Sequence, residues 1–148
     1  MSLQRLFCWL LVSLALTLSV AGGARAQQEF QVEETFINAR IDGRIYRLEA
    51  IVTRRKGAEG KLPVALLLHG KDFLGSVMAD VRPSINNGPA RDMADRGWLA
   101  VSFTRRGFGQ SDGPYPALAS CESLKLEDQF ASDAKDVAAV MEALRQRP

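Results

Sequence analysis

Histidine and cysteine are almost absent from this chain: one histidine and two cysteines stand among 148 residues. Cys8 falls inside an N-terminal segment that reads as removable, which leaves Cys121 alone. No intramolecular disulfide is therefore expected in the processed chain. A lone cysteine in an oxidising compartment is buried or open to an intermolecular bridge. With no histidine following it, Cys121 is a poor nucleophile candidate. Charge of one sign is also scarce, with 19 basic against 17 acidic side chains. A balanced surface gives no electrostatic reason for nucleic-acid or acidic-membrane binding. The short basic run Arg54-Arg55-Lys56 beside Gly57 reads as a solvated loop. No metal site, cofactor, internal repeat or low-complexity tract is expected.

Long apolar runs are missing too, except at the N-terminus. Arg5 supplies a positive start, Leu6–Val20 an apolar stretch, and Ala24-Arg25-Ala26 a small-x-small cleavage pattern. The apolar stretch is 15 residues, short of the ~20 that span a bilayer. Residues 1–26 thus read as a signal peptide and not as a stable membrane anchor. The protein is expected to be exported, periplasmic or extracellular after cleavage near Ala26. Loss of Arg5 and Arg25 brings the remaining charges into balance, and residues 27–148 suit one small domain.

Phe30–Ile37 has strand character, Asp42-Gly43 is a two-residue turn signal, and Arg44–Thr53 alternates imperfectly. Together they predict an antiparallel hairpin at the edge of a sheet. Leu62–Leu68 is continuously apolar, as is Trp98–Phe103. Both read as strands buried on two faces. Between them Ala90–Arg96 has helical spacing, with Gly97 as its C-terminal stop. Strand, helix and strand make a βαβ unit with a right-handed crossover. Gly107–Cys121 reads as a long loop. A helix from about Leu126 to Arg145 follows, with Phe130, Ala134, Val137, Ala138, Met141 and Leu144 expected on its buried face. The predicted order is β-β-β-α-β-α, with one helix on each face of a thin, incomplete sheet.

Two short motifs carry the chemistry. His69-Gly70 ends the first buried strand, where glycine permits a sharp turn. Ligands of open α/β sheets bind at the carboxyl ends of strands, and free backbone amides there can stabilise an oxyanion. The amides of Lys71 and Asp72 are the candidates, against an ordinary strand-to-helix loop. His69 can be read as a general base or as a residue that fixes the loop. The second reading is favoured, because no nucleophile and no orienting carboxylate are designated for it. The second motif is Arg106-Gly107-Phe108-Gly109-Gln110-Ser111. A nucleotide fingerprint would need a third glycine where Asp112 stands, and an immediate helix. Arg106 is expected to tie the loop to neighbouring carbonyls or carboxylates.

These two motifs, in this order and at this spacing, resemble the α/β-hydrolase superfamily. The likeness is to its dienelactone hydrolase-like and prolyl-oligopeptidase-like secreted serine hydrolases, over roughly Ile45 to Pro148. Asp133-Ala134-Lys135-Asp136-Val137 is similar to the helix that precedes the nucleophile strand in that family. The resemblance implies the N-terminal portion of an α/β-hydrolase fold, with an oxyanion amide at Lys71 or, second, Asp72. It implies a loop shaped by His69, Gly70, Arg106, Gly107 and Gly109. Thr104 stands where the family often has aspartate. The family's Gly-x-Ser-x-Gly elbow, acid and histidine have no counterpart here, since Ser102, Ser111 and Ser120 lack the elbow context. The expected activity of the intact family is hydrolysis of an ester or peptide substrate, with this segment inactive alone. Self-association through an open sheet edge is expected. The alternative is a non-catalytic secreted α/β binding module.

Overall fold

The computed structural model describes residues 29–70, 78–114 and 126–146. The proposed signal peptide, Lys71, Asp72 and Cys121 lie outside the described residues. The described chain forms a mixed four-stranded sheet flanked by two helices. In order these are β1 (Phe30–Ile41), β2 (Arg44–Arg55), β3 (Val64–Leu68), α1 (Asn87–Asp95), β4 (Leu99–Phe103) and α2 (Leu126–Arg145). Two 3₁₀ turns, Met78–Asp80 and Pro83–Asn86, precede α1. The strand order is β1-β2-β4-β3. Strands β1 and β2 are antiparallel, as are β2 and β4, while β3 and β4 are parallel. No helix among the described residues is long and apolar enough to cross a membrane.

The hairpin turns on Asp42-Gly43, with φ of +49° and +81°. A turn with two positive φ values matches the twist of the flanking strands, and Asp-Gly is among the few pairs that adopt it readily. Both strands run longer than their alternation suggests, 12 residues each. Arg54 and Arg55 accordingly close β2 and are not part of a loop, with Arg54 Nε donating to Gln31 Oε1 at 2.9 Å. Helix α1 ends in a paired set of backbone bonds: Gly97 N–H to Ala94 O at 3.0 Å and Trp98 N–H to Met93 O at 3.1 Å. That closure puts the residue after the cap in the left-handed region, and Gly97 has φ +85°.

Side-chain alternation sends the two faces of the sheet to different helices. Ala50, Val52, Val101 and Phe103 join Ile37, Leu48 and Val140 in the core, together with flanking Val137 and Leu144 of α2. Ala100 and Ser102 point the other way. Buried Ser102 donates to Pro83 O at 2.7 Å and accepts from Asn86 Nδ2 at 3.0 Å, which seats the turn leading into α1. Each large aliphatic or aromatic side chain so enclosed contributes about 1.5–3 kcal/mol.

Two expectations about burial are corrected. Strand β3 is only half-buried, and Leu68 is 36% exposed, because β3 is an edge of the described sheet and not an interior strand. The buried side of α2 is the expected one only in part, since Val137 and Leu144 pack against the core. Phe130 is 65% exposed and Ala134 and Ala138 face solvent, while Gln129, Asp136 and Val140 are buried. The cause is electrostatic and lies at the end of β4.

Candidate functional site

Strands β3 and β4 run parallel in register, Leu68 beside Phe103, so the residues that follow them emerge together at one end of the sheet. There the chain places two consecutive arginines. Arg106 donates from its backbone N–H to Asp136 Oδ2 at 3.0 Å, from Nε to Asp136 Oδ1 at 2.6 Å, and from an Nη to Ser132 Oγ at 3.1 Å. Arg105 pairs with Asp133, whose other oxygen accepts from Gln129 Nε2 at 3.0 Å. Ser132, Asp133 and Asp136 lie on adjoining turns of α2. Helix α2 therefore turns a polar face toward this end of the sheet, because a buried cation must be paired. Spacing of apolar residues could not show this. Two carboxylates at i and i+3, matched to two adjacent arginines, were the available signal.

His69 is 6% exposed and sits against this cluster. Its Nδ1 lies 2.7 Å from Gly70 O, and its Nε2 accepts the Arg105 backbone N–H at 3.3 Å. A carbonyl on one nitrogen and an N–H on the other fix a neutral ring protonated at Nδ1. The ring centroid is 4.4 Å from that of Phe108, and the Arg105 guanidinium lies 5.0 Å from the Phe108 centroid. Both ring nitrogens are thus committed to backbone groups, and neither is open to take a proton from a substrate. Burial holds the imidazole pKa below its ordinary 6.5, the Gly70 hydrogen bond opposing and the Arg105 charge assisting.

A pH dependence follows. The unfolded chain takes up a proton at His69 as pH falls through about 6.5, whereas the native ring resists until lower pH. Between those two values the unfolded state binds more protons. Stability is therefore full above 6.5 and declines as pH falls below it. Urea midpoints at pH 7.5 and pH 5.5 are expected to differ in that direction, and His69→Gln to reduce the difference.

The glycine-rich motif performs a different task. Thr104 N–H donates to Glu49 O at 2.9 Å, continuing the β2–β4 ladder by one step. The chain then leaves the ladder and returns. Ser111 Oγ accepts Glu49 N–H at 2.9 Å and donates to Thr104 O at 2.8 Å, with Thr104 Oγ1 at 2.7 Å. Asp112 accepts Arg47 N–H on Oδ2 and donates its own N–H to Arg47 O, both at 2.9 Å. Two residues, through their side chains and the Asp112 N–H, thus replace a strand along β2. Thr104, at the position where aspartate is common in the resembling family, is buried in this network.

Gly107, Gly109 and Gly113 all have positive φ, of +75°, +54° and +100°. Residues 109–113 spell Gly-Gln-Ser-Asp-Gly, a formal match to a nucleophile elbow. The geometry is not one. An elbow serine stands exposed on a turn between strand and helix. Ser111 instead lies along β2 with its hydroxyl bound to backbone on two sides, and no helix begins at residues 112–114.

A cavity of about 440 Å³ opens beside the hairpin, lined among others by Glu34, Phe36, Glu49, Ile51, Arg82 and Gln110. Gln110 is its one link to the glycine motif, and His69, Gly70 and Arg106 do not line it. Among the described residues no group of three or more His, Cys, Asp or Glu could hold a metal ion. The oxyanion amides expected at Lys71 and Asp72 lie outside the described residues.

No family model matches the sequence, and no curated protein matches it significantly. Among solved structures the chain is similar to a selenomethionine-labelled α-amino acid ester hydrolase, at 22% identity and TM-score 0.40, over 62% of this chain and 15% of that one. It is also similar to an aminopeptidase from the marine sediment archaeon Thaumarchaeota archaeon, at 18% identity and TM-score 0.40, over 74% of this chain and 18% of that one. The chain spans less than a fifth of either structure's length.

Proposed function

We propose that residues 27–148 are the front part of an exported serine hydrolase of the α/β-hydrolase superfamily, dienelactone hydrolase-like or prolyl-oligopeptidase-like, acting on carboxylic esters or peptide bonds. The observation that carries this reading is the commitment of His69. A neutral, buried imidazole bonded to Gly70 O and to the Arg105 N–H acts on the backbone, not on a substrate. It holds the chain at the carboxyl end of β3, where backbone amides of Lys71 or Asp72 would meet a developing oxyanion. Nucleophile, acid and triad histidine would come from chain outside this segment, and a small ester or peptide substrate would bind between the two parts.

Two measurements test this. The DNA beyond codon 148 is expected to encode, in one of three frames, an apolar strand followed by Gly-x-Ser-x-Gly. Its product joined to this segment should react with a fluorophosphonate probe, while residues 27–148 alone stay unlabelled. Stoichiometric labelling of residues 27–148, or no such segment in any frame, would overturn the proposal. The cavity between hairpin and 3₁₀ turn favours one other reading, a secreted binding module, and that reading would take its place.

The same proposal leaves the outer edge of β3 for another strand. Five residues without charge or proline, Val64–Leu68, are a template for pairing. Residues 27–148 expressed alone are expected to sediment above monomer mass. Leu68→Lys, at a 36% exposed position, should shift them toward monomer. A monomeric wild-type segment would remove the open-edge argument.

A further inference from the structure

Arg105 is a costly residue to bury. It is 5% exposed, and its Nε has no hydrogen-bond partner among the described residues. Among the described residues one carboxylate, that of Asp133, meets the guanidinium at an Nη. A buried pair with an orphaned donor is a weak stabiliser, and apolar replacements of similar volume are often neutral or better. Arg106 beside it already ties this end of β4 to α2 through three hydrogen bonds. The second arginine is therefore not needed to dock the helix, and its contacts run elsewhere. Its guanidinium lies over the Phe108 ring at 5.0 Å, the same ring packs on His69 at 4.4 Å, and its backbone N–H is bound by His69 Nε2.

We infer that Arg105, anchored by Asp133 of α2, is a positioning residue that sets His69 and Gly70 at the end of β3. The chain of contacts is continuous: Gln129 and Asp133 on the helix, the Arg105 guanidinium, Phe108 beneath it, the His69 ring, and Gly70 O. Movement of α2 at Asp133 is thereby transmitted to the end of β3. Under the hydrolase reading, on which the catalytic consequence alone rests, this orients the oxyanion amides. The contacts themselves do not depend on that reading.

The single histidine makes this testable in the full chain, because one imidazole signal reports the end of β3. Asp133→Asn separates two accounts by sign. If Asp133 acts on His69 only through space, loss of its negative charge lowers the His69 pKa, since that charge favours the imidazolium. If it acts by anchoring Arg105, the freed guanidinium uncovers the ring, and the pKa rises toward 6.5. The Nδ1–H tautomer should weaken with it, and the Arg105 amide should exchange faster. The Thr104 amide, bonded to Glu49 O in the adjoining ladder, must stay protected, which separates this result from unfolding. Should Asp133→Asn unfold, the double variant Arg105→Met with Asp133→Leu removes the pair without leaving a charge buried. With Thr104 protected, a raised His69 pKa and faster Arg105 exchange support the inference. An unchanged or lowered pKa and unchanged Arg105 exchange overturn it. Exposed Lys135→Met on the same helix should move none of these signals. None of the readouts is enzymatic, so loss of the hydrolase proposal and loss of this one are distinguishable.

Discussion

Asp136→Ala is expected to cost about 3–5 kcal/mol, the range for removing one partner of a buried ion pair. The carboxylate is 3% exposed on its side chain and the Arg106 partner 15%. Asp136 accepts both the Arg106 Nε and its backbone N–H, so truncation strands a guanidinium and an amide together. Ser132 Oγ remains on one Nη and cannot take up the charge. The Lys135–Asp42 pair on the same helix is the internal comparison. Its nitrogen sits 2.9–3.0 Å from both carboxylate oxygens, yet the side chains are 53% and 65% exposed. The Lys135 hydrogen bond holds the Asp42 carboxyl below its ordinary pKa, but water screens so exposed a pair and leaves it little weight in stability. Urea denaturation of Asp136→Ala and of Lys135→Met, which breaks the exposed pair without touching the Asp42-Gly43 turn, should therefore separate widely. Similar small losses in both would mean that Arg106 finds another partner, and that Asp136 is not what holds α2.

Those two pairs also mark what the sequence could and could not reveal. The hairpin was legible because Asp42-Gly43 is a pair that tolerates two positive φ values, and the turn fixes register. The βαβ unit was legible because Leu62–Leu68 and Trp98–Phe103 are apolar runs separated by a helix with its glycine stop. The extent of α2 was legible, and so were Val137 and Leu144 on its packed side, but the rest of the face it buries was not. Phe130, Ala134 and Ala138 have the right periodicity and point to solvent. Periodicity scores apolar residues, and here the orientation is set by two arginines about thirty residues upstream. The long-range pairing of Ser111 and Asp112 with β2 was hidden for the same reason, since side chains that substitute for a strand leave no alternating pattern. At His69 the sequence left two roles open, and it held no sign of the ring's bonds to Gly70 O and the Arg105 N–H. A ring nitrogen facing a carbonyl and another facing an amide is invisible to spacing.

Gly109→Ala is expected to destabilise the chain by about 3 kcal/mol, combining a left-handed backbone cost of about 1–2 kcal/mol with overpacking of about 1–3 kcal/mol. A Cβ at this position would stand 2.3 Å from Val81 O, 2.6 Å from Glu49 Oε2 and 3.3 Å from an Arg82 Nη. The Glu49 side chain can swing away only by releasing the Gln110 N–H that it accepts at 2.9 Å. Val81 O is backbone and also accepts from Arg82 Nη at 3.0 Å, so relief there means displacing the segment that leads to Pro83. Gly57→Ala is the control. Its φ is +79°, similarly left-handed, but an added Cβ meets nothing within 4 Å, so only the backbone cost applies. The difference between the two variants isolates the close approach of the loop to the 3₁₀ segment. If both lose the same stability, the loop does not press on Val81 and Glu49, and the glycine at 109 serves φ alone. If Gly109→Ala loses clearly more, the motif is a tight backbone crossing that joins β2, β4 and the entry to α1. In that case Ser111, two residues on, is held in place by the crossing and is not free to act as a nucleophile.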